Sequence, residues 1–306
     1  MDARNLDATE RDANLMRKAA LISVCVSVFL IAIKLGAYFL SHSVSVLAAL
    51  ADSGLDLFAA SLNLVAIRSA LTPADEEHRF GHGKAEPLAG LAQGAFIAAS
   101  ALFLVVQSIN RFIEPEPVEQ GSIALAVMIV SLFAAIGIVI YQRRVVAKTG
   151  SIAIGADSMQ FIGDIATTAG VIVAIILSAG LKWEKADPII AMLVALALVW
   201  SAWGVFRQSY DQLMDRELAD EDRAKIKAIV RAHPDVRSLH DLRTRAAGIH
   251  AFIQFHIELD PQMNLQRAHE VSDAVETEVC KAFPNAEVII HQDPEGVELP
   301  HSFKHT

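Results

Sequence analysis

At 306 residues, with 53% hydrophobic residues and a mean hydropathy of +0.39, the chain is too apolar for an ordinary soluble protein of its size. Its formal net charge of −9 sits largely in the C-terminal part and the loops, which argues against nucleic acid as a partner. Cys25 and Cys280, one in an apolar run and one in the polar part, suggest no disulfide framework and fit a reducing compartment.

Apolar runs of about 20 residues mark membrane helices, because a hydrocarbon core ~30 Å thick is crossed at ~1.5 Å per helical residue. Six such runs follow one another, roughly 19–40, 44–67, 88–112, 121–142, 152–180 and 188–208. The first is too long for a signal-peptide core and is not followed by a convincing small-residue cleavage site, so it reads as a membrane span. Arg11, Arg17 and Lys18 precede the first run, and Ser41–Ser43 after it carries no Lys or Arg. Arg68, Arg79 and Lys84 follow the second, the acids Glu114, Glu116 and Glu119 the third, and Arg143, Arg144 and Lys148 the fourth. Arg207 closes the sixth, and only the loop with Lys182 and Lys185 is ambiguous. This asymmetry predicts that both termini are cytoplasmic.

From Tyr210 the composition turns polar, which marks a domain boundary. The expected division is a six-helix transmembrane domain over 1–208, a cytoplasmic domain over 209–295 and a flexible tail over 296–306. Asp220–Ala232 reads as a helix, acidic in its first turn and basic toward its end. Leu239–Thr244 and Ala251–Leu259 alternate like strands around a Gly248 turn, Asn264–Phe283 is helical, and Glu287–His291 is a last strand. The order α-β-β-α-β predicts a small α+β domain, an open sheet with helices on one face.

Three groups of residues carry candidate chemistry. Asp52 and Asp56 in the second run are spaced i, i+4, on one helical face; Gln160 and Asp164 in the fifth have the same spacing. A lone carboxylate at mid-membrane costs at least ~2.5 kcal/mol, so these side chains need a purpose. Four oxygen donors brought together would bind a cation; the alternative is polar adhesion between neighbouring helices. Asp157, close to the start of its helix, reads as a helix-terminus acid. Asp75, His78 and His82 in "PADEEHRFGHGKAE" can wrap one metal ion, although solvated loop histidines are the commoner case. In the tail, His240, His256, His269, His291 and Asp293 lie on separate elements, and spacing alone leaves a scattered surface arrangement equally open. His42, His233, His250, His301 and His305 read as solvated or loop residues.

Taken together, the six runs, the Asp-x-x-x-Asp pair, "ADEEHRFGHGKAE", "HDLRTR" and "IIHQDP" resemble the cation diffusion facilitator family, most closely its bacterial ferrous-iron/zinc efflux branch. The resemblance spans nearly the whole chain. It implies a homodimer of six-helix protomers in a bacterial inner membrane, with cytoplasmic metallochaperone-like, ferredoxin-like domains. The protomers would exchange cytoplasmic M²⁺ for external protons, with no cofactor and no enzymatic activity. By position it implies a transport site of Asp52, Asp56, Gln160 and Asp164, and a loop site of Asp75, His78 and His82. It further implies a binuclear tail site of His240, His256, His269, His291 and Asp293, with an Asp bridging, and a Lys84–Asp215 salt bridge near the dimer hinge. The chain departs from zinc-type members at Gln160, where they carry His. Imidazole favours zinc and oxygen donors favour harder ions, so Mn²⁺ or Fe²⁺ is expected ahead of Zn²⁺. Without that imidazole, three mutually repelling carboxylates are the remaining proton carriers. A zinc/cadmium exporter of the same family and a membrane metal sensor without transport are the alternatives.

Overall fold

A computed structural model describes residues 3–42, 44–113, 122–181 and 186–296. Ser43, the acids Glu114, Glu116 and Glu119, Lys182, Lys185, His301, His305 and the expected tail from residue 297 onward lie outside these residues. The chain forms two compact units, one over Asp12–Tyr210 and one built from Asp211 onward, with the first residues up to Arg11 grouped with it.

Six long helices make the first unit: α1 (Ala3–Ser41), α2 (Val44–Ala70), α3 (Ala85–Ile113), α4 (Ser122–Thr149), α5 (Ile152–Leu181) and α6 (Ala186–Leu213). Among the described residues, α1, α2, α3, α4 and α6 meet the length and apolarity needed to cross a membrane. The 30-residue α5 is also long enough, and it packs against α2, α3 and α4. The chain is a multi-pass membrane protein. The first helix starts at Ala3 rather than near residue 19, because the polar stretch before the apolar run continues the same helix without a break.

Buried polar contacts fix α5 in place. Glu86 of α3 accepts from Ser151 Oγ at 2.5 Å and from the Ala153 N–H at 3.3 Å, so a carboxylate meets the unpaired amides at the start of α5. Asn63 of α2 donates to the Ala153 carbonyl at 3.3 Å. Asp157 departs from the expected helix-terminus role. It lies beyond the first turn of α5, fully buried, and accepts from Gln142 Nε2 of α4 at 2.6 Å. Further along α5, a Cβ on Gly163 would stand 2.7 Å from Leu198 Cδ2, so a side chain there would displace the end of Leu198.

In the second unit, α7 (Asp220–Arg231), β1 (Ser238–Ala247), β2 (His250–Leu259), α8 (Leu265–Ala282) and β3 (Ala286–Pro294) follow the expected order. The sheet order is β1-β2-β3, with β1 antiparallel and β3 parallel to β2. The β1–β2 connection is the two-residue loop Gly248-Ile249, whose first position has φ +61°, a value glycine adopts without steric cost. Ile253, Phe255, Ile257 and Leu259 alternate along β2 toward a core with Ile226 and Val230 of α7 and Val271, Val275 and Val279 of α8. Both helices therefore cover one face of the sheet, and Gln254, His256 and Glu258 point to the other.

Candidate metal sites

The i, i+4 pairs of α2 and α5 meet. Asp52, Asp56, Gln160 and Asp164 line one cavity of about 640 Å³ among the membrane helices, with Lys34, Ser53, Ser131, Thr167 and Thr168 around them. Gln160 Nε2 donates to Asp56 Oδ1 at 2.9 Å, which leaves the amide oxygen buried without a hydrogen-bond partner. An unpaired buried carbonyl beside carboxylates fits a cation ligand, because a cation satisfies at once the charges and the orphaned acceptor. Two features of this cavity escaped the sequence reading. Lys34 donates to Ser53 Oγ at 2.6 Å and to the Ala49 carbonyl at 3.2 Å, although a lysine inside an apolar run was the signal to look for. The Ser and Thr hydroxyls around the acids were not singled out either.

The loop between α2 and α3 brings Asp75, His78 and His82 together. Asp75 Oδ1 lies 3.3 Å from His78 Nδ1, and Oδ2 lies 3.4 Å from His82 Nε2. The two rings are 4.4 Å apart, and the donor atoms of all three residues fall within 4.8 Å of one another. Asp75 is held in place by its own loop, accepting from the His78 N–H at 2.6 Å and the Glu77 N–H at 3.0 Å. These bonds to the anion, that of the His78 N–H first, hold its carboxyl below the usual carboxylate range. His82 is the least exposed of the three, and its Nδ1 is buried without a partner.

In the tail, register does what spacing could not reveal. His240 pairs with His256 across β1–β2, and His256 with His291 across β2–β3, so three histidines form one row across the uncovered face. Asp293, two residues beyond His291 and therefore on the same face, turns back into that row. Its Oδ2 is 2.8 Å from His256 Nδ1 and 3.3 Å from His240 Nε2, while Oδ1 is 3.3 Å from His291 Nε2. A carboxylate with imidazoles at both oxygens can bridge two cations. His269 is placed elsewhere: it stands on α8, 69% exposed, 3.4 Å from Asp273. Sequence reasoning missed Asp241 and Glu258. Asp241 occupies an irregularity in β1 with φ +47°, is gripped by Arg243 at 2.9 Å, and lies 3.8 Å from His256 Nε2. Glu258 lies 3.7 Å from His240 Nδ1. Asp215, the expected partner of Lys84, is 3.4 Å from Arg245 within its own unit.

Carboxylates gathered inside a membrane domain, and histidines gathered outside it, define a protein that handles metal cations at a bilayer. Residues 20–214 match the cation efflux transmembrane domain, and residues 218–295 match the cytoplasmic domain of cation efflux proteins. The cation-efflux pump FieF of Shewanella oneidensis is 44% identical over 283 residues, covering 92% of this chain and 95% of that protein. The pump of the same name from Klebsiella pneumoniae (strain 342) is 41% identical, covering 92% and 94%. A metal-bound C-terminal domain of the CzcD transporter from Thermotoga maritima matches 26% of this chain and 93% of its own, at 31% identity and a TM-score of 0.25. The chain belongs to the cation efflux, or cation diffusion facilitator, family: it is a transporter of metal cations and not an enzyme.

Proposed function

We propose that the chain is a proton-coupled exporter of divalent transition metals, with Mn²⁺ or Fe²⁺ favoured over Zn²⁺, and that Asp52, Asp56, Gln160 and Asp164 form its transport site. The observation that carries this reading is the cavity itself. Three carboxylates and an unpaired amide oxygen converge there, and among the described residues no imidazole lines it. Hard oxygen donors suit Mn²⁺, with Fe²⁺ next, more than they suit Zn²⁺. Protons from outside would replace the departing metal on the same carboxylates, since three anions cannot stand close together in a low-dielectric site without counter-charge.

Asp75, His78 and His82 form the second metal site in this proposal, and His240, His256, His291 and Asp293 the third. His269 lies on the helix-covered side of the sheet, so it joins the third site only if a second copy of the chain supplies it. That fits a homodimer in the bacterial inner membrane with both termini cytoplasmic. Lys84 and Asp215 are kept as a charge pair of that dimer's hinge. The division at residue 208, with a cytoplasmic domain ending near 295, is part of the same proposal.

The test is uptake into vesicles containing the purified protein, with Mn²⁺, Fe²⁺, Zn²⁺, Co²⁺ and Cd²⁺ in competition and the internal pH followed. The expected outcome is preferred uptake of Mn²⁺ or Fe²⁺ with counterflow of protons. Preference for Zn²⁺ or Cd²⁺ would establish the zinc-type alternative, and metal binding without uptake would establish a sensor.

A further inference from the structure

Lys34 stands in the apolar part of α1, and its ammonium is held by two neutral acceptors of α2, Ser53 Oγ at 2.6 Å and the Ala49 carbonyl at 3.2 Å. Ser53 adjoins Asp52, and Lys34 lines the same cavity as Asp52, Asp56, Gln160 and Asp164. A lysine within a membrane span is costly, and it persists where it faces a polar cavity or a counter-charge. Neutral acceptors fix the position of Lys34 without cancelling its charge. The charge therefore acts across the cavity, where few mobile ions screen it.

We propose that Lys34 is the built-in counter-cation of the transport site, weakening the site's hold on M²⁺ so that the ion is released quickly. The proposal rests on the transport-site assignment above. Three ionised carboxylates around a divalent ion leave a net charge of −1, and the ammonium brings the loaded site to zero. Without it the loaded site is an anion in a low-dielectric surrounding, which retains its cation more tightly. A carrier gains turnover from a site that binds its ion only moderately, so Lys34 trades affinity for rate.

Two substitutions separate charge from hydrogen bonding. Lys34→Gln keeps an N–H donor for the α2 acceptors and removes the charge; Lys34→Arg keeps the charge. In vesicles containing the full-length protein, Lys34→Gln is expected to lower the Mn²⁺ KM on the order of tenfold and to lower kcat with it, while Lys34→Arg, which keeps the charge, shows no such fall in KM. Should turnover be too slow to fit, Mn²⁺ affinity is read by electron paramagnetic resonance of the free ion. The full-length protein then carries Asp75→Ala and Asp293→Ala to weaken the other two clusters, and Lys34→Gln must bind more tightly. An unchanged or raised KM, or an unchanged or weakened affinity, overturns the counter-cation. A lysine that merely ties α1 to α2 gives that result, with kcat lowered and no tightening. Asp56→Ala is measured alongside: transport that survives there removes the site assignment itself. Loss of transport there, with no tightening in Lys34→Gln, removes only the counter-cation.

Discussion

The cavity among the membrane helices is lined by three carboxylates and one amide, whereas the uncovered face of the three-stranded sheet gathers three imidazoles around one carboxylate. The first set consists of hard oxygen donors placed on two helices; the second is dominated by softer nitrogen donors placed on adjacent strands in register. Helices that slide or tilt past one another can open and close a site shared between them, but strands locked by a hydrogen-bonded ladder cannot separate as easily. The contrast suggests a division of labour in which the membrane cluster must let its ion go and the sheet cluster can keep one.

That contrast breaks most visibly if the membrane acids are dispensable. Asp56→Ala or Asp164→Ala is expected to abolish metal uptake by vesicles while the protein still elutes as a folded dimer, since each change removes an anionic ligand and little packing volume. Near-normal uptake in either variant would reduce the cavity to polar adhesion between helices. Gln160→His addresses the donor chemistry rather than the presence of the site. An imidazole at this position should raise the Zn²⁺/Mn²⁺ uptake ratio by a factor of several, corresponding to about 1 kcal/mol of ligand preference. A variant that loses rate equally for both ions would show that Gln160 serves only to hold Asp56.

The sequence carried much of this arrangement because the membrane and the pleat both impose strict periods. A bilayer demands long apolar runs, so six helices could be read from composition. A half-buried sheet demands alternation, so "FIQFHIEL" announced β2 with Ile253, Phe255 and Ile257 inward. Which residues meet across elements was less legible. The row His240–His256–His291 depends on strand register and on the irregularity at Asp241, neither of which spacing encodes. Asp157 was misread because its partner Gln142 lies on another helix, and a polar pair between helices leaves no periodic trace. Lys34 was visible as a charge in an apolar run, but only the cavity it shares with Asp52, Asp56 and Asp164 shows that it stands among the acids.

The sheet cluster should respond more mildly. Asp293→Ala removes the one carboxylate that touches all three histidines, so fewer metal ions per chain should remain bound after dialysis of the purified protein. Transport is expected to fall without vanishing, because the proposed transport site in the membrane cavity is untouched. Unchanged metal content and affinity would show that the histidine row does not need its acid.

The smallest effect expected is at Asn264, and it bears on whether the sheet cluster is complete within one chain. Asn264 caps α8, its side-chain oxygen accepting from the Arg267 N–H at 2.9 Å. Replacing it with Ala should cost about 1 kcal/mol of cytoplasmic-domain stability through fraying of the first turns. His269 is the fifth residue of α8, close enough to the frayed end to lose its fixed position, whereas His240, His256, His291 and Asp293 are held by the strand ladder and are not. If the sheet residues alone bind the metal, Asn264→Ala should lower the thermal midpoint of the metal-free protein and leave metal affinity unchanged. If a second copy delivers His269 to the cluster, the same variant should also bind metal more weakly, and His269→Ala should reproduce that loss without the drop in midpoint. Unfolding curves with and without metal, together with metal titrations of both variants, separate the two arrangements. A loss of affinity in His269→Ala would extend the sheet cluster across two copies, whereas unchanged affinity would confine it to one chain.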